Sequence, residues 1–264
     1  MRYLHGFSCA EVPEFDLARA IHYGTLPPHY LSRLPDEDLA AYVGQYLSEE
    51  IAAKGLVRNL PSFTRFLEVA ASCNGQIINY TSIASDAGVN RQTVVNYFQI
   101  LKDTMLGFEL PPFRETVKRK AAGSSKFYLA DMGVVRFLRR LEKVVPTSAD
   151  FGGFFEHFVF LELRAFLDYL DPRTEVGVWR SEKGDTEVDF IVGKRWGIEV
   201  KASERIMSRH LDGLKKLREE GVVKKLAVVC CESHCRHIEA QDIRIYPWRD
   251  FFRELWEQKG WLWE

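Results

Sequence analysis

Three charged residues, Asp189, Glu199 and Lys201, alternate with apolar residues in a segment typical of a β-hairpin. Because strand side chains alternate between faces, Glu199 and Lys201 lie opposite Val200. If residues 193–195 form the loop, Asp189 lies directly across from Glu199. Opposed side chains are about 5 Å apart at Cβ, so the two carboxylates repel unless a cation lies between them. A divalent metal ion, with Lys201 beside it, would resolve that conflict.

The length of the hairpin loop decides whether these side chains share a face. Loops of three or five residues keep Asp189, Glu199 and Lys201 together. A loop of two or four residues places the carboxylates on opposite faces, because a slip of one residue reverses every side chain. Gly193 and Gly197 are compatible with either odd loop. The other interpretation is an exposed hairpin whose charged face is solvated.

The composition is that of an ordinary globular protein. The chain has 264 residues, 46% of them hydrophobic and 28% charged, enough for two or three compact units. No apolar run approaches the roughly 20 residues needed to cross a bilayer, and the first residues lack the apolar stretch of a signal peptide. We therefore expect a cytoplasmic protein without a membrane-spanning segment. The net charge is −1, so a DNA-binding surface would have to be local.

Cysteine usage indicates no disulfide framework, since the five cysteines are an odd number. Cys231, Cys235 and His237, with His234 as a fourth ligand, could hold zinc. Structural zinc sites prefer two well-separated pairs of ligands, and these residues crowd into one short segment. That segment directly follows an apolar stretch typical of a buried strand. The pattern therefore favours a strand end followed by a loop.

Turn signals and apolar periodicity divide the chain into three units. The first, residues 1–58, is mainly helical, and Asp36 or Asp38 is expected to cap a helix that runs to residue 51. The second covers residues 59–145, and the third covers residues 151–264.

Residues 80–101 carry the signature of a helix-turn-helix. Gly88 suits the left-handed C-cap of the first helix, and Asn90 is a good N-cap for the second. Val94 is then expected to face the core. The exposed start of the second helix would present residues suited to base edges and phosphates in a major groove, namely Arg91, Gln92, Thr93 and Asn96.

Two predicted strands follow and flank a basic stretch, and a helix-turn-helix followed by such a hairpin is a winged helix. Lys118, Arg119 and Lys120 in that stretch would track a phosphate backbone. The alternative is a winged helix that serves protein contacts and whose basic tip is merely solvated, because the wider charge is weak.

The third unit is expected to run helix, strand, hairpin, helix, strand, strand, helix, an order that indicates an α/β sandwich. Its first helix is strongly apolar from residue 154 onward. Glu156 is expected in the first turn of that helix. It would either complement the positive helix N-terminus or point at the hairpin.

With these residues identified, the third unit resembles the PD-(D/E)XK nuclease fold, which is restriction-endonuclease-like. That pattern has a glutamate on a helix, an acidic residue on one strand and Glu-x-Lys on the next, filled here by Glu156, Asp189, Glu199 and Lys201. Val188 stands where the family name has proline. The resemblance implies that Asp189 and Glu199 bind Mg²⁺ or Mn²⁺, that Lys201 assists the attacking water, and that Glu156 is a secondary ligand.

Most of the chain is similar to the C-terminal portion of prokaryotic AAA-type ATPases that end in a domain of unknown function. Segments that carry this likeness include Gly24-Thr-Leu-Pro27, Lys126-Phe-Tyr-Leu-Ala-Asp131 and Ile198-Glu-Val-Lys-Ala202. In that group an ATP-binding module precedes this region, which makes residues 1–58 resemble a remnant of the ATPase lid. The sequence has no Gly-x-x-x-x-Gly-Lys-Ser/Thr phosphate loop, so we expect no ATP site and no ATP hydrolysis by this chain alone.

The sequence therefore predicts a multi-domain α/β protein that binds DNA and acts as a Mg²⁺- or Mn²⁺-dependent nuclease. The alternative is a non-enzymatic module in which the same domains dock a partner AAA-type ATPase or another protein ligand. A third interpretation, a winged-helix transcription regulator, rests on the helix-turn-helix alone and predicts sequence-specific binding without cleavage.

Overall fold

A computed structural model describes residues 3–47, 51, 57, 59–113, 124–182 and 184–257. These residues form a mixed α/β structure with helices, a two-stranded sheet and a six-stranded sheet. Lys118, Arg119 and Lys120 lie outside the described residues, so their role stays a prediction. In the described part of the chain, no helix combines the length and apolar character that crossing a bilayer requires.

Three short helices open the chain: α1 (Leu17–Tyr23), α2 (Pro27–Tyr30) and α3 (Pro35–Ala41). The predicted cap of α3 at Asp36 or Asp38 is wrong. The helix begins at Pro35, because the fixed φ of proline suits the first helical position and its missing N–H is not needed there. Both aspartates lie in the first turn, where negative charge complements the helix dipole. Residues Tyr42–Leu47 continue as a π-helical turn.

Asp131 connects the N-terminal helices to the second unit. Its buried carboxylate accepts hydrogen bonds from the backbone N–H of Thr25 at 2.8 Å and of Val134 at 3.1 Å. The latter bond caps α7 (Met132–Leu138). Gly24 is required beside it, because its φ is 85° and an added Cβ would lie 2.0 Å from the Asp131 carboxylate.

The predicted helix-turn-helix segment contains two helices joined by a short turn, α5 (Tyr80–Ala87) and α6 (Arg91–Asp103), which follow α4 (Leu60–Ser72). Gly88 ends α5 in the left-handed conformation, with φ 66° and ψ 37°. The Asn90 side chain accepts the backbone N–H of Thr93 at 2.8 Å and so caps α6. Val94 is fully buried. The predicted caps at Gly88 and Asn90 and the inward position of Val94 are confirmed.

Strands β1 (Gly107–Leu110) and β2 (Lys126–Leu129) pair antiparallel and form the small sheet. Every residue of β2 is buried, including Lys126, of which only 4% is exposed. A lysine is rarely buried to this extent unless its ammonium group is paired.

Helix α8 (Phe151–Leu170) precedes the large sheet. Its strands are β3 (Val176–Arg180), β4 (Glu187–Val192), β5 (Trp196–Lys201), β6 (Lys225–Cys230), β7 (Arg236–Ile238) and β8 (Ile243–Pro247). Their spatial order is β3-β4-β5-β6-β8-β7, in which β5, β6 and β8 are parallel. The short edge strand β7 is additional to the predicted order.

Helices cover both faces of the large sheet. Helices α8 and α10 (Trp248–Glu257) share the larger hydrophobic core with one face, and that core extends from Phe15 to Leu255 through all three predicted units. Helix α9 (Asp212–Glu220) packs on the other face in a smaller core. The large sheet is therefore the middle layer of this part of the chain.

The segment after β1 joins the two sheets through backbone hydrogen bonds. The N–H of Phe113 donates to the carbonyl of Val178 at 2.7 Å, and the N–H of Val178 donates to the carbonyl of Pro111 at 2.9 Å. Gly177 allows this approach, since an added Cβ would lie 2.9 Å from the Pro111 oxygen. The small sheet is thus fixed against β3, next to β4.

A buried histidine fixes α8 against β2. His157 Nε2 lies 2.7 Å from the carbonyl oxygen of Leu129, and its Nδ1 lies 3.2 Å from the amide nitrogen of Asn74. These contacts fit a neutral ring that donates through Nε2 and accepts through Nδ1. Burial lowers the pKa of His157 from 6.5 to about 4.

We predict that His157→Gln flattens the acid dependence of stability. Between pH 6.5 and pH 4 the unfolded chain protonates this histidine and the folded chain does not, so its contribution is complete above pH 6.5 and is lost as pH falls towards 4. The difference corresponds to about 3 kcal/mol. Urea unfolding of both proteins from pH 7 to pH 4 measures it.

The quantity to compare is the difference in unfolding free energy between wild type and His157→Gln at each pH, because another buried group changes stability with pH in the opposite direction. Burial raises the pKa of Glu162 to about 7, which weakens the fold as pH rises from 4.5 towards 7. Parallel curves for wild type and His157→Gln would contradict the prediction.

Candidate functional site

The three-residue loop between β4 and β5 is confirmed, since Val192 pairs with Trp196. Continued past its last backbone pair, this register brings Asp189 opposite Glu199. At this position a side chain takes the place of a backbone carbonyl as acceptor, because Asp189 Oδ2 accepts a hydrogen bond from the N–H of Val200 at 2.8 Å. Asp189 and Glu199 are each only 7% exposed, so the interpretation as a solvated hairpin is wrong.

Strand β4 has a bulge at Asp189. Between the pairs Gly177–Ile191 and Trp179–Val188, β3 advances by two residues and β4 by three, so β4 contains one extra residue. Val188 and Ile191 consequently pack in the same core beside α9, although a regular strand would send them to opposite faces. The simple alternation predicted for β4 is wrong here, because a bulge re-aims the side chains around it.

The cation closest to Asp189 comes from β2. Lys126 Nζ lies 2.9 Å from Glu156 Oε1, 2.5 Å from Glu187 Oε1 and 3.8 Å from Asp189 Oδ1. Burial lowers the pKa of Lys126, but these three carboxylates outweigh it and raise the pKa above its ordinary value. Lys126 therefore carries a buried, fully engaged positive charge.

Sequence reasoning did not identify Lys126 or Glu187 as site residues. Lys126 begins an otherwise apolar strand, and Glu187 begins the strand that carries Asp189. The only local feature of the sequence that could have indicated a site here was a lysine at the start of an apolar, buried strand. Its partners lie on α8 and β4, and no short-range pattern indicates them.

Glu156 is held by two groups of β2. Its Oε1 accepts hydrogen bonds from Lys126 and, at 2.5 Å, from the Tyr128 hydroxyl. Glu156 was predicted to lie in the first turn of α8. Because α8 begins at Phe151, it lies in the second turn instead. Complementing the helix dipole is therefore ruled out as its role, since that effect is confined to the first turn.

Glu199 and Lys201 form the second half of the cluster. Lys201 Nζ pairs with Glu199 Oε1. The other oxygen, Oε2, is buried and has no hydrogen-bond partner among the described residues. Burial raises the pKa of Glu199 although Lys201 opposes it. Burial, followed by the charges of Glu199 and Glu156, raises the pKa of Asp189 well above its ordinary value.

The cluster has an excess of negative groups. Its carboxylates are Glu156, Glu187, Asp189 and Glu199, and its cationic partners are Lys126, Lys201 and Arg180. One carboxylate is left without a matching cation. A buried carboxylate in that position takes up a proton or binds a further cation.

Glu187, Glu199 and Lys201 line an open cleft of about 750 Å³ beside α9. Its wall also carries charges of both signs, the basic Arg209, Lys215 and Lys216 and the acidic Asp185, Asp212 and Glu219. The cleft thus gives solvent and a charged ligand access to the edge of the carboxylate cluster.

In the part of the chain that the structure describes, no three His, Cys, Asp or Glu side chains are grouped so as to hold a metal ion. Asp189 and Glu199 offer two carboxylates, one with an unpartnered oxygen. Mg²⁺ is commonly held by one or two carboxylates and keeps several waters, so this pair fits it.

The cysteine and histidine residues after β6 are directed to different partners. Cys235 Sγ lies 3.5 Å from Asp250, and His237 Nε2 lies 2.9 Å from Asp242. Cys231 follows β6, and His237 belongs to β7. The segment is a strand end, a loop and a short edge strand.

The predicted DNA-contacting residues described by the structure lie at the start of α6. Arg91 is exposed, with its guanidinium 5.5 Å from the centre of the Tyr80 ring. Gln92 and Asn96 are also exposed and hydrogen-bonded to each other at 3.1 Å. The hydroxyl of Thr93 donates to the capping side chain of α6, so it has a structural partner already.

Two family models match the chain. Residues 14–144 match a domain of unknown function, DUF8612, and residues 151–251 match another, DUF4143. DUF4143 is commonly found at the C-terminus of AAA-type ATPases. Lys126 and Tyr128 thus lie in the first matched region, and the carboxylates lie in the second.

Two mycobacterial proteins are similar to most of this chain. The uncharacterized protein Rv2008c of Mycobacterium tuberculosis and the uncharacterized protein Mb2031c of Mycobacterium bovis are each 25% identical to it over 207 residues, 75% of this chain. The chain spans 46%, about half, of the length of these curated relatives. No solved structure matches the chain. These matches name no activity, so function is inferred from the site.

We predict that Glu199→Gln stabilises the metal-free protein increasingly as pH rises. A carboxyl whose pKa is raised by folding contributes stability below its unfolded pKa and loses it as pH rises through the folded pKa. Glutamine mimics the protonated form and has no such loss. Urea unfolding in EDTA from pH 5 to pH 8 tests this.

The matched control is Glu219→Gln, which alters an exposed glutamate of the same cleft. Its stability should follow wild type at every pH. A Glu199→Gln curve that also parallels wild type would show that the Glu199 carboxylate is not strained by its surroundings.

Proposed function

We propose that this chain is a DNA-binding, Mg²⁺-dependent phosphodiester hydrolase with a winged helix and a PD-(D/E)XK-like catalytic domain. The observation that carries the proposal is the unpartnered, buried oxygen of Glu199, with Lys201 on its other oxygen and Asp189 across the hairpin. Two carboxylates and a lysine, of which Glu199 and Lys201 line the open cleft, form a donor set suited to a metal ion and a phosphate.

Asp189 and Glu199 would hold the ion. Bound there, Mg²⁺ supplies Lewis-acid stabilisation of phosphate charge and acidifies a water. The N–H of Val200 fixes Asp189 by holding one of its oxygens. Lys201, about a third exposed at the cleft, stabilises the negative charge that develops on the phosphate.

Glu156 has a different role from the secondary ligand that the resemblance implied. Because Lys126 and Tyr128 both donate to its Oε1, it acts through them and positions the edge of the cluster. Glu156 is therefore a positioning residue in this proposal.

The helix-turn-helix would supply DNA affinity. Arg91, Gln92 and Asn96 are exposed at the start of α6, where a recognition helix meets the major groove. At the cleft, Arg209 would contact a phosphate, whereas Lys215 and Lys216 already pair with Asp212 and Asp185. The net charge of −1 confines this attraction to local surfaces.

A partner AAA-type ATPase is part of the proposal. Its support is the match to a domain found at the C-terminus of such enzymes, together with the coverage of about half of each longer relative. The partner would supply the ATP-driven motion, and this chain would supply DNA contact and hydrolysis.

A second candidate is a non-catalytic module that docks DNA or a protein for such an ATPase. The observation that favours it is Lys126, whose ammonium already neutralises carboxylates that a nuclease would direct at metal and water. In that case the cluster holds the two matched regions together and has no chemical role.

Cleavage of plasmid DNA separates the two candidates. We expect nicking in Mg²⁺ or Mn²⁺, none in EDTA, and a loss of at least about 100-fold in Glu199→Gln and in Lys201→Met. The control Glu219→Gln should cleave like wild type. Activity that survives in Glu199→Gln would exclude this site, and no cleavage by wild type would favour the non-catalytic module.

DNA affinity tests the helix-turn-helix independently. Arg91→Ala should weaken duplex binding and reduce the slope of log affinity against log salt by about 1, as loss of one phosphate contact does. Fluorescence anisotropy at several salt concentrations measures both. Arg33→Ala, an exposed arginine of the N-terminal segment, is the control. An unchanged salt slope in Arg91→Ala would remove α6 from the DNA interface.

A further inference from the structure

We propose that Lys126 is an intramolecular competitor of the metal ion, so that the site alternates between a lysine-occupied state and a metal-bound state. The inference rests on the proposed function, because it concerns regulation of the same carboxylates. The competitor belongs to the region that matches the first family model, and the carboxylates belong to the second.

The ammonium occupies the position of a cation. It contacts one carboxylate of α8 and two of β4, and its side chain is only 5% exposed. Asp189 belongs to both sets, as a partner of Lys126 at 3.8 Å and as a proposed metal ligand. An ion held by Asp189 and Glu199 would thus share a carboxylate with the lysine.

The charges explain why the two cations oppose each other. With Lys126 in place the cluster has one carboxylate in excess, whereas a divalent ion brings two positive charges. Like charges on a shared carboxylate repel strongly in a poorly solvated site. Metal binding therefore becomes tighter when the ammonium withdraws.

Withdrawal requires movement of a side chain and not of the fold. The backbone of Lys126 pairs with Leu110 in the small sheet and bridges to Ile77. Glu156 keeps a donor when the ammonium leaves, because the Tyr128 hydroxyl is bonded to the same oxygen. All three carboxylates lose a neighbouring positive charge, but Glu156 keeps its hydrogen bond from Tyr128 and Glu187 keeps its ion pair with Arg180.

Calorimetric titration with MnCl₂ tests the inference on the full chain. Lys126→Gln should bind Mn²⁺ at least about 10-fold more tightly than wild type, because the competing charge is gone. Adding Glu199→Gln to that variant should abolish the gain. Lys126→Arg, which keeps the charge, should bind like wild type.

The matched control is Lys102→Gln, which removes another lysine of the second unit, paired with Glu109 at 2.6 Å. Its Mn²⁺ affinity should equal that of wild type. Thermal unfolding with and without Mn²⁺ gives a second readout that does not depend on activity. Lys126→Gln should lose stability in EDTA and regain it in Mn²⁺ by a larger increment than wild type.

The outcomes separate this inference from the proposed function. If wild type binds Mn²⁺ through Glu199 and Lys126→Gln binds it no more tightly, the competitor is excluded and the metal site stands. If only Lys126→Gln binds Mn²⁺, the competitor is established and wild type is held metal-free. If neither binds, or if Lys126→Gln unfolds without rescue by Mn²⁺, the inference is overturned.

Discussion

The arrangement of the site depends on the buried ammonium of Lys126. Moving such a charge out of water costs several kcal/mol, and contacts with Glu156, Glu187 and Asp189 offset that cost. The same contacts hold three carboxylates close together, which would otherwise repel. Because the lysine is on β2 and its partners are on α8 and β4, the ion cluster joins the two matched regions, together with the hydrophobic core that they share.

Adjacent residues of α8 hold β2 in two different ways. Glu156 accepts bonds from Lys126 and Tyr128, and its contribution comes from charge. His157 binds the carbonyl of Leu129 as a neutral ring, because burial keeps its pKa low. One contact is ionic and the other requires a neutral ring, so two different physical effects hold this junction.

Local patterns predicted much of the hairpin of β4 and β5 and of the helix pair α5 and α6. The glycines and the apolar period were compatible with a loop of three or five residues between β4 and β5 and did not decide between them, whereas turn chemistry was sufficient for the caps at Gly88 and Asn90. These features depend on neighbours in the chain. The start of α3 was mispredicted because Pro35 and Asp36 both favour a helix start and proline was the deciding residue.

The rest of the site depends on contacts between distant segments. The bulge at Asp189 forms against β3, and no residue type within β4 signals it. In the sequence, Lys126 is an ordinary polar residue at the end of a strand. Only the folded structure brings α8 and β4, with their carboxylates, next to it. Burial of a charge is a property of the assembled fold, so a pattern of residues in one strand does not reveal it.

The backbone bridge from Pro111 and Phe113 to Val178 also bears on how this protein meets other chains. An open sheet edge offers free N–H and C=O groups to any passing strand, and proteins protect such edges. At β3 the protein's own chain takes up part of that edge. The opposite edge is β7, which has three residues and exposes Arg236 and His237. Within the described residues, the large sheet thus has one edge partly covered and one that is short and polar, which disfavours edge-to-edge aggregation.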